Sequence, residues 1–199
     1  MLQILTSAAA RSPYGLWGQP VMLPGATLPE VAAPDSGAPV VAPDASGLVL
    51  APKDVLPGYA SYLNDAARAK GSDNFKRGTF SDQIENRLAA DKKALKAVAD
   101  VSSTHTVVTG DPLALRTKDG GALVIGALRQ TYKITVKKGK GQVQVSDPDL
   151  AALDGGKKTF SKSFTRTAIE VLVFRVPPRG SGPITVIAAQ KGDVAATAK

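Results

Sequence analysis

Few residues in this chain could do acid–base chemistry, and they are widely spaced. The single histidine, His105, sits in Ser102-Ser103-Thr104-His105-Thr106 and is the one side chain of the sequence that could titrate unperturbed near neutrality. A triad would also need a nucleophile and an orienting acid, and neither is recognisable around it. Glu170 lies between Ile169 and Val171 in an apolar run, and a period of two puts it on one face with Ala168, Leu172 and Phe174. A carboxylate there either enters a dry cavity or marks a sheet edge, paired with Arg129 or Arg166. Tyr59 and Tyr62 share a helical face, and with Tyr132 and Glu170 they are the candidate lining of a pocket for a small apolar ligand.

Absences narrow the chemistry further. With no cysteine, thiolate catalysis, disulfides and most soft-metal sites are excluded. There is no phosphate-binding glycine loop, nucleophile elbow or Ser-x-x-Lys. Asp147, Asp149 and Asp154 lack the glycine and closing glutamate of a calcium loop, and their spacing suits the cap of a helical turn. The expectation is a non-catalytic chain with no catalytic residue, metal or cofactor.

The net charge of +8 is unevenly placed, because residues 1–52 carry Arg11 against Glu30, Asp35 and Asp44. Lys133, Lys137, Lys138, Lys140, Lys157, Lys158, Lys162 and Arg166 are candidates for a surface that meets an anionic envelope polymer or lipid. Only Tyr132 and Phe160 stand among them as stacking groups, which speaks against nucleic acid.

These residues need elements to hold them. Leu2–Thr6 and Gly15–Met22 are strand-like around a polar turn at Arg11, Ser12 and Pro13. Two such strands alone are marginal in water, so residues 1–23 either join the edge of a larger sheet or close an upstream domain. Residues 24–52, with prolines at 24, 29, 34, 39, 43 and 52, read as a linker. Its Val40, Val41, Leu48, Val49 and Leu50 are apolar enough to lie in a groove. Residues 53–199 form the main α+β domain.

Val55, Tyr59, Tyr62, Leu63 and Ala66 share one helical face, with Arg68 and Lys70 near the C-terminal dipole and Gly71 as the stop. Pro57 should start or kink that helix. A second helix begins near Thr79, with Phe80, Ile84, Leu88, Leu95 and Val98 as its stripe and Asp82 and Glu85 at its positive end. After Asp100 the period becomes two, with breaks at Gly110-Asp111-Pro112, Asp119-Gly120-Gly121, residues 137–141 and Pro177-Pro178. The strand over 122–136 is apolar on both faces up to Leu128, after which Tyr132, Ile134 and Val136 oppose Arg129, Thr131, Lys133 and Thr135. Phe160, Phe164, residues 169–174 and residues 184–188 give two more strands, with a helical turn near Leu150–Leu153. Helices followed by strands imply α+β: N-terminal helices packed on a curved antiparallel sheet of four to six strands.

That order resembles the nuclear-transport-factor-2-like cone. Pro13-Tyr14-Gly15-Leu16-Trp17-Gly18-Gln19-Pro20 with Leu23-Pro24-Gly25-Ala26, and residues 113–124 (LALRTKDGGALV), are similar to an uncharacterised family of exported or membrane-anchored actinobacterial proteins. The resemblance implies an upstream signal or anchor and an extracytoplasmic place. In this sequence no window approaches the roughly 18–20 apolar residues of a membrane span, and Met1–Ala10 lacks a basic signal-peptide start. The functional expectation is therefore a non-catalytic spacer or interaction module of a cell-envelope protein. A small-molecule-binding cone is the alternative, and an enzyme using that cavity with Glu170 or His105 comes third.

Overall fold

The computed structural model describes residues 1–199 except 8, 10, 32–36 and 66–69. Helix α1, Pro52–Asp65, opens on a proline, whose fixed φ and missing N–H suit a first turn. It buries Val55, Tyr59 and Tyr62, while Ala66 and Arg68 of the expected helix lie outside the described residues. Pro57 lies inside α1 on the exposed side, where the carbonyl it leaves without a helical partner can be hydrated. Gly71 takes a left-handed conformation and leads into a 3-10 turn, Ser72–Asn74.

Helix α2, Thr79–Leu95, starts where its periodicity begins. The Ser81 hydroxyl accepts from the Gly78 N–H at 3.1 Å and donates to the Gly78 carbonyl at 2.9 Å, so the first turn is closed on itself. Arg77 straps Asp82 and Glu85 at 2.5 and 2.6 Å, and Phe80 and Ile84 are buried. Val98 falls beyond the helix, in the turn before the next strand, which shortens the expected stripe.

Strands β1 (Ile4–Thr6) and β2 (Gly15–Gly18) form a hairpin. Strands β3 (Val21–Met22), β4 (Ala99–Val107), β5 (Leu113–Arg116), β6 (Ala122–Val136), β9 (Ser163–Val176) and β10 (Thr185–Ala198) make one six-stranded sheet. Its order is β3-β10-β9-β6-β4, with β5 beside the first half of β6, and every pair is antiparallel. Between β6 and β9 a short pair, β7 (Val143–Gln144) and β8 (Thr159–Phe160), flanks helix α3, Pro148–Leu153. Asp147 caps α3 by accepting from the Asp149 and Leu150 N–H groups.

Both faces of the sheet are covered over its first half. On the inner face α1 packs on Val124, Leu128, Leu172 and Phe174. Leu56 of α1 packs directly over Gly126, where a Cβ would force the leucine side chain to shift. On the outer face Ile4, Leu123, Val173, Ile187 and Ala188 form a second cluster with Leu2, Met22, Ala26 and Val31. Leu2, Ile4, Met22, Ala26 and Val31 thus supply the second layer that the doubly apolar start of β6 demands. Val41 and Leu48 are buried in the inner core, and the Val41 and Arg116 N–H groups donate to the carbonyls of Ala114 and Pro39, so residues 38–41 lie along β5. Past Leu128 the outer residues Arg129, Lys133 and Thr135 are exposed. No helix among the described residues is long and apolar enough to cross a membrane.

Candidate functional site

The second half of the inner face is polar. The strand registers place three rows across β4, β6, β9 and β10: Val107, Leu128, Glu170 and Lys191; then His105, Gln130, Ala168 and Asp193; then Ser103, Tyr132, Arg166 and Ala196. Glu170 is completely buried, and His105 and Gln130 are 2% and 3% exposed. Such groups are expensive in a sheet interior unless they satisfy one another.

They do so in part. Lys191 Nζ donates to Gln130 Oε1 at 2.5 Å and lies 3.3 Å from Glu170 Oε1. Gln130 Nε2 donates to Ser103 Oγ at 3.1 Å, and Arg166 reaches Gln130 Oε1 at 3.4 Å. The Arg166 guanidinium lies 4.8 Å over the Tyr132 ring and 3.5 Å from Asp193. Tyr132 donates its hydroxyl to Asp91 Oδ2 at 2.6 Å, and burial followed by this bond raises the phenol's pKa well above its ordinary value. His105 Nε2 stands 3.6 Å from Glu170 Oε2, too far for a hydrogen bond. Neither Glu170 oxygen has a hydrogen-bond partner, nor do His105 Nε2 and Arg166 Nε.

The other side of His105 is fixed by helix α1. Asn64 Oδ1 accepts from the His105 N–H at 2.7 Å, and Asn64 Nδ2 donates to the His105 carbonyl at 3.0 Å. The asparagine amide stands in for the missing neighbour of edge strand β4, and the two bonds fix which way it points. Its oxygen also lies 3.3 Å from His105 Nδ1, so that one ring nitrogen faces Asn64 and the other, Nε2, faces the carboxylate. The imidazole is held between Asn64 and Glu170.

Above this layer lies a cavity of about 330 Å³ between α2, α3 and the sheet. Its floor is Ser103, Gln130, Arg166 and Lys191, and its roof is Phe80, Ile84 and Leu88 of α2 with Leu150 of α3. Tyr132, Gln83, Arg87 and Asp147 complete the walls. A second lobe of about 240 Å³ shares Arg87, Tyr132, Asp147, Leu150 and Arg166 and runs under α3 toward β7.

Of the expected pocket residues, Tyr132 lines the cavity and Glu170 lies just beneath it, behind Lys191. Tyr59 and Tyr62 are elsewhere: they stack at 5.6 Å in the aromatic core with Phe75, and Tyr59 meets Phe174 edge-on at 5.1 Å. Burial is the main cause that raises the Tyr59 pKa above its ordinary value. Tyr59 also edges a separate cleft of about 220 Å³ beside Arg175 and residues 76–81. The partners expected for Glu170 change too. Arg129 is exposed on the outer face, and the groups that reach the carboxylate are Lys191 and His105.

Arg166 does not belong with the basic surface, because its side chain turns inward over Tyr132 and is 18% exposed. The lysines do gather at one pole. The Val136 N–H donates to the Lys162 carbonyl and the Lys162 N–H to that of Lys199, joining the turn that holds Lys137, Lys138 and Lys140 to the one that holds Lys157, Lys158 and Lys162. Lys137 is partly tied to Lys96 and Asp100, and Lys157 to the Ala198 carbonyl. Lys133 is exposed on the outer face near that pole.

Sequence reasoning missed Lys191, Gln130, Ser103 and Asn64. Lys191 was lost because the last strand was expected to stop at 188, whereas β10 runs to Ala198. A signal existed in the odd polar Gln130, at an inward position of β6 between Leu128 and Tyr132. Among the described residues no three His, Asp or Glu side chains converge as metal ligands.

The family described as a domain of unknown function, DUF8094, matches residues 2–198. A protein of Streptomyces avermitilis named "Uncharacterized lipoprotein" is 33% identical over 147 residues, which cover 72% of this chain and 41% of that protein. The chain thus spans less than half the length of this relative. No solved structure matches.

Proposed function

This chain belongs to the DUF8094 family, and we propose from that premise that it is a non-catalytic, small-molecule-binding domain of a cell-envelope lipoprotein, held outside the cytoplasm. The cavity of about 330 Å³ with a polar floor and an apolar roof carries the reading. The helices-on-sheet layering suits a cone of the nuclear-transport-factor-2-like kind, whose space between helices and sheet accepts the ligand. Binding fits the site better than turnover. His105 Nε2 and the Glu170 carboxylate face each other beneath Lys191, and neither residue is among those that line the cavity.

The test is a titration with two fluorescent probes, anilinonaphthalene sulfonate and its uncharged parent phenylnaphthylamine. Saturable one-to-one binding of at least one probe is expected, and Leu88→Trp, which fills the cavity from α2, should abolish it. Absence of saturable binding, or binding indifferent to that substitution, removes the reading.

A second reading rests on the lysine pole, where two lysine-bearing turns are joined through Lys162 and Lys199. There the domain would rest against an anionic lipid or envelope polymer, with the cavity open to the side. Vesicles rich in phosphatidylglycerol should bind the protein at low salt and release it when Lys137, Lys138 and Lys140 are changed together to glutamine. Equal binding to neutral phosphatidylcholine vesicles would remove it.

A further inference from the structure

We infer that the cavity ligand carries one anionic head group, seated between Arg166 and Lys191, and an apolar body against α2 and α3. This rests on the cavity's being a ligand site, as proposed above.

The floor is built around two cations that converge on a single neutral atom. Lys191 and Arg166 both donate to Gln130 Oε1, at 2.5 and 3.4 Å. Their counter-charges lie behind or beside them: Glu170 is under Lys191, and Asp193 is 3.5 Å from Arg166. Neither acid is among the residues that line the cavity. The cations therefore present their unused donors to the open space.

Arg166 has the most to offer. A guanidinium carries five N–H donors in a fork that matches two anionic oxygens. Here its hydrogen bond to Gln130 is long, its buried Nε is turned toward Asp193 at 3.5 Å, and its face is already spent on Tyr132, which leaves its terminal N–H groups for a ligand. The two cations also sense each other. Burial lowers the pKa of the Lys191 ammonium, with the nearby Arg166 charge adding to the effect and Glu170 opposing it. An anionic head between them would accept from both and offset that repulsion.

Apart from the exposed amide of Gln83 on α2, the remaining polar groups give a neutral ligand little to bind. Gln130 Nε2 is bonded to Ser103, Tyr132 has given its hydroxyl to Asp91, and Arg87 is held by Asp91 at 2.8 Å. Across from the cations the roof is Phe80, Ile84, Leu88 and Leu150, and the charged groups of the walls are already engaged, Arg87 by Asp91 and Asp147 in capping α3. The volume lies at the small end of ligand pockets, which run to about 300–1,000 Å³. A carboxylate, sulfonate or phosphate monoester on a compact apolar body has that shape and polarity.

The two probes named above differ only in the sulfonate. On the whole chain, anilinonaphthalene sulfonate should bind at least ten-fold tighter than phenylnaphthylamine. Arg166→Gln should bring the ratio close to one by weakening sulfonate binding far more than that of phenylnaphthylamine. The double variant Glu170→Gln/Lys191→Met, which leaves no lone buried charge, should do the same and covers the case in which Arg166→Gln does not fold. Equal affinity for both probes in the unmodified chain overturns the anionic head and leaves the cavity reading standing. If neither probe binds, both fall. A sulfonate preference that survives Arg166→Gln but disappears when Lys137, Lys138 and Lys140 become glutamine places the anion on the lysine pole and overturns the inference.

Discussion

The two halves of the inner sheet face are built from the same strands and hold opposite chemistry. Over the first half, α1 presses Val55, Leu56 and Tyr59 onto Val124, Leu128, Leu172 and Phe174, and the layer is closed without charge. Over the second half, the same β6 and β9 offer Gln130, Tyr132, Arg166 and Glu170, with Lys191 from β10, and α2 and α3 roof this layer without filling it. The first half is the scaffold. The second spends that scaffold's rigidity on holding charges under an opening, which is the arrangement a binding site requires.

The largest expected effect lies in the dry half. Phe174→Ala removes a fully buried ring that meets Tyr59, and should cost about 3–5 kcal/mol by chemical denaturation. A loss under about 1 kcal/mol would mean that the dry half is not the scaffold.

In the polar half the effects should depend on partners. Lys191→Met leaves Glu170 fully buried with only His105 beside it, for a loss of about 2–3 kcal/mol, moderated because the lysine itself is partly exposed. Glu170→Gln/Lys191→Met should recover most of that loss. If the double variant is as unstable as the sum of the two singles, the charges are not coupled and the comparison fails. Asn64→Ala removes two bonds to the edge strand and should cost about 1–2 kcal/mol. Hydrogen exchange should rise at His105 while the amides of β9 stay protected; uniform exchange across the sheet would contradict a local role.

The smallest effect belongs to the turn that leads into the dry half of β6. Asp119 accepts from Thr117 Oγ1, Arg175 and the Gly121 N–H, which lower its pKa to about 2 from an ordinary 3.8. The folded state binds this proton less tightly than the unfolded one, so the contribution is complete above 3.8 and fades as pH falls toward 2. Because the side chain is 42% exposed, solvent screening keeps this contribution below about 1 kcal/mol. Melting temperatures of Asp119→Asn and the unmodified chain should converge between pH 4 and about 2. A gap that widens on acidification would reverse the assignment.

Much of the scaffold was legible in the residues. The stripe from Phe80 to Leu88 begins α2 at Thr79, and the change of period within residues 122–136 anticipates the switch from two covered faces to one. Asp119-Gly120-Gly121 marks the turn between β5 and β6, where Gly121 has no room for a Cβ, since one would sit 2.7 Å from the Val176 carbonyl oxygen. The helix-then-sheet order follows from such local signals, and the α+β class with a six-stranded antiparallel sheet agrees with it.

The site was legible only in fragments. Glu170 stood out because it interrupts an apolar run within its own strand, and Tyr132 as the aromatic on the face it shares with Ile134 and Val136. Their partners did not: Lys191 follows Gln190 in a stretch that reads as a strand's end, and Asn64 is an unremarked polar residue on the last turn of α1. Tyr59 and Tyr62 share Tyr132's chemistry, yet the fold commits them to the dry half.

By itself the sequence determined which residues could not do chemistry, where the helices lie and which face of each strand is apolar, because these depend on composition and on periods of 3.6 and 2. Only the tertiary structure decided that His105, Glu170 and Lys191 form one cluster. That decision rests on register: β4, β6, β9 and β10 are paired so that residues up to 86 positions apart fall within one or two rows, and a slip of one residue would turn every one of them to the other face.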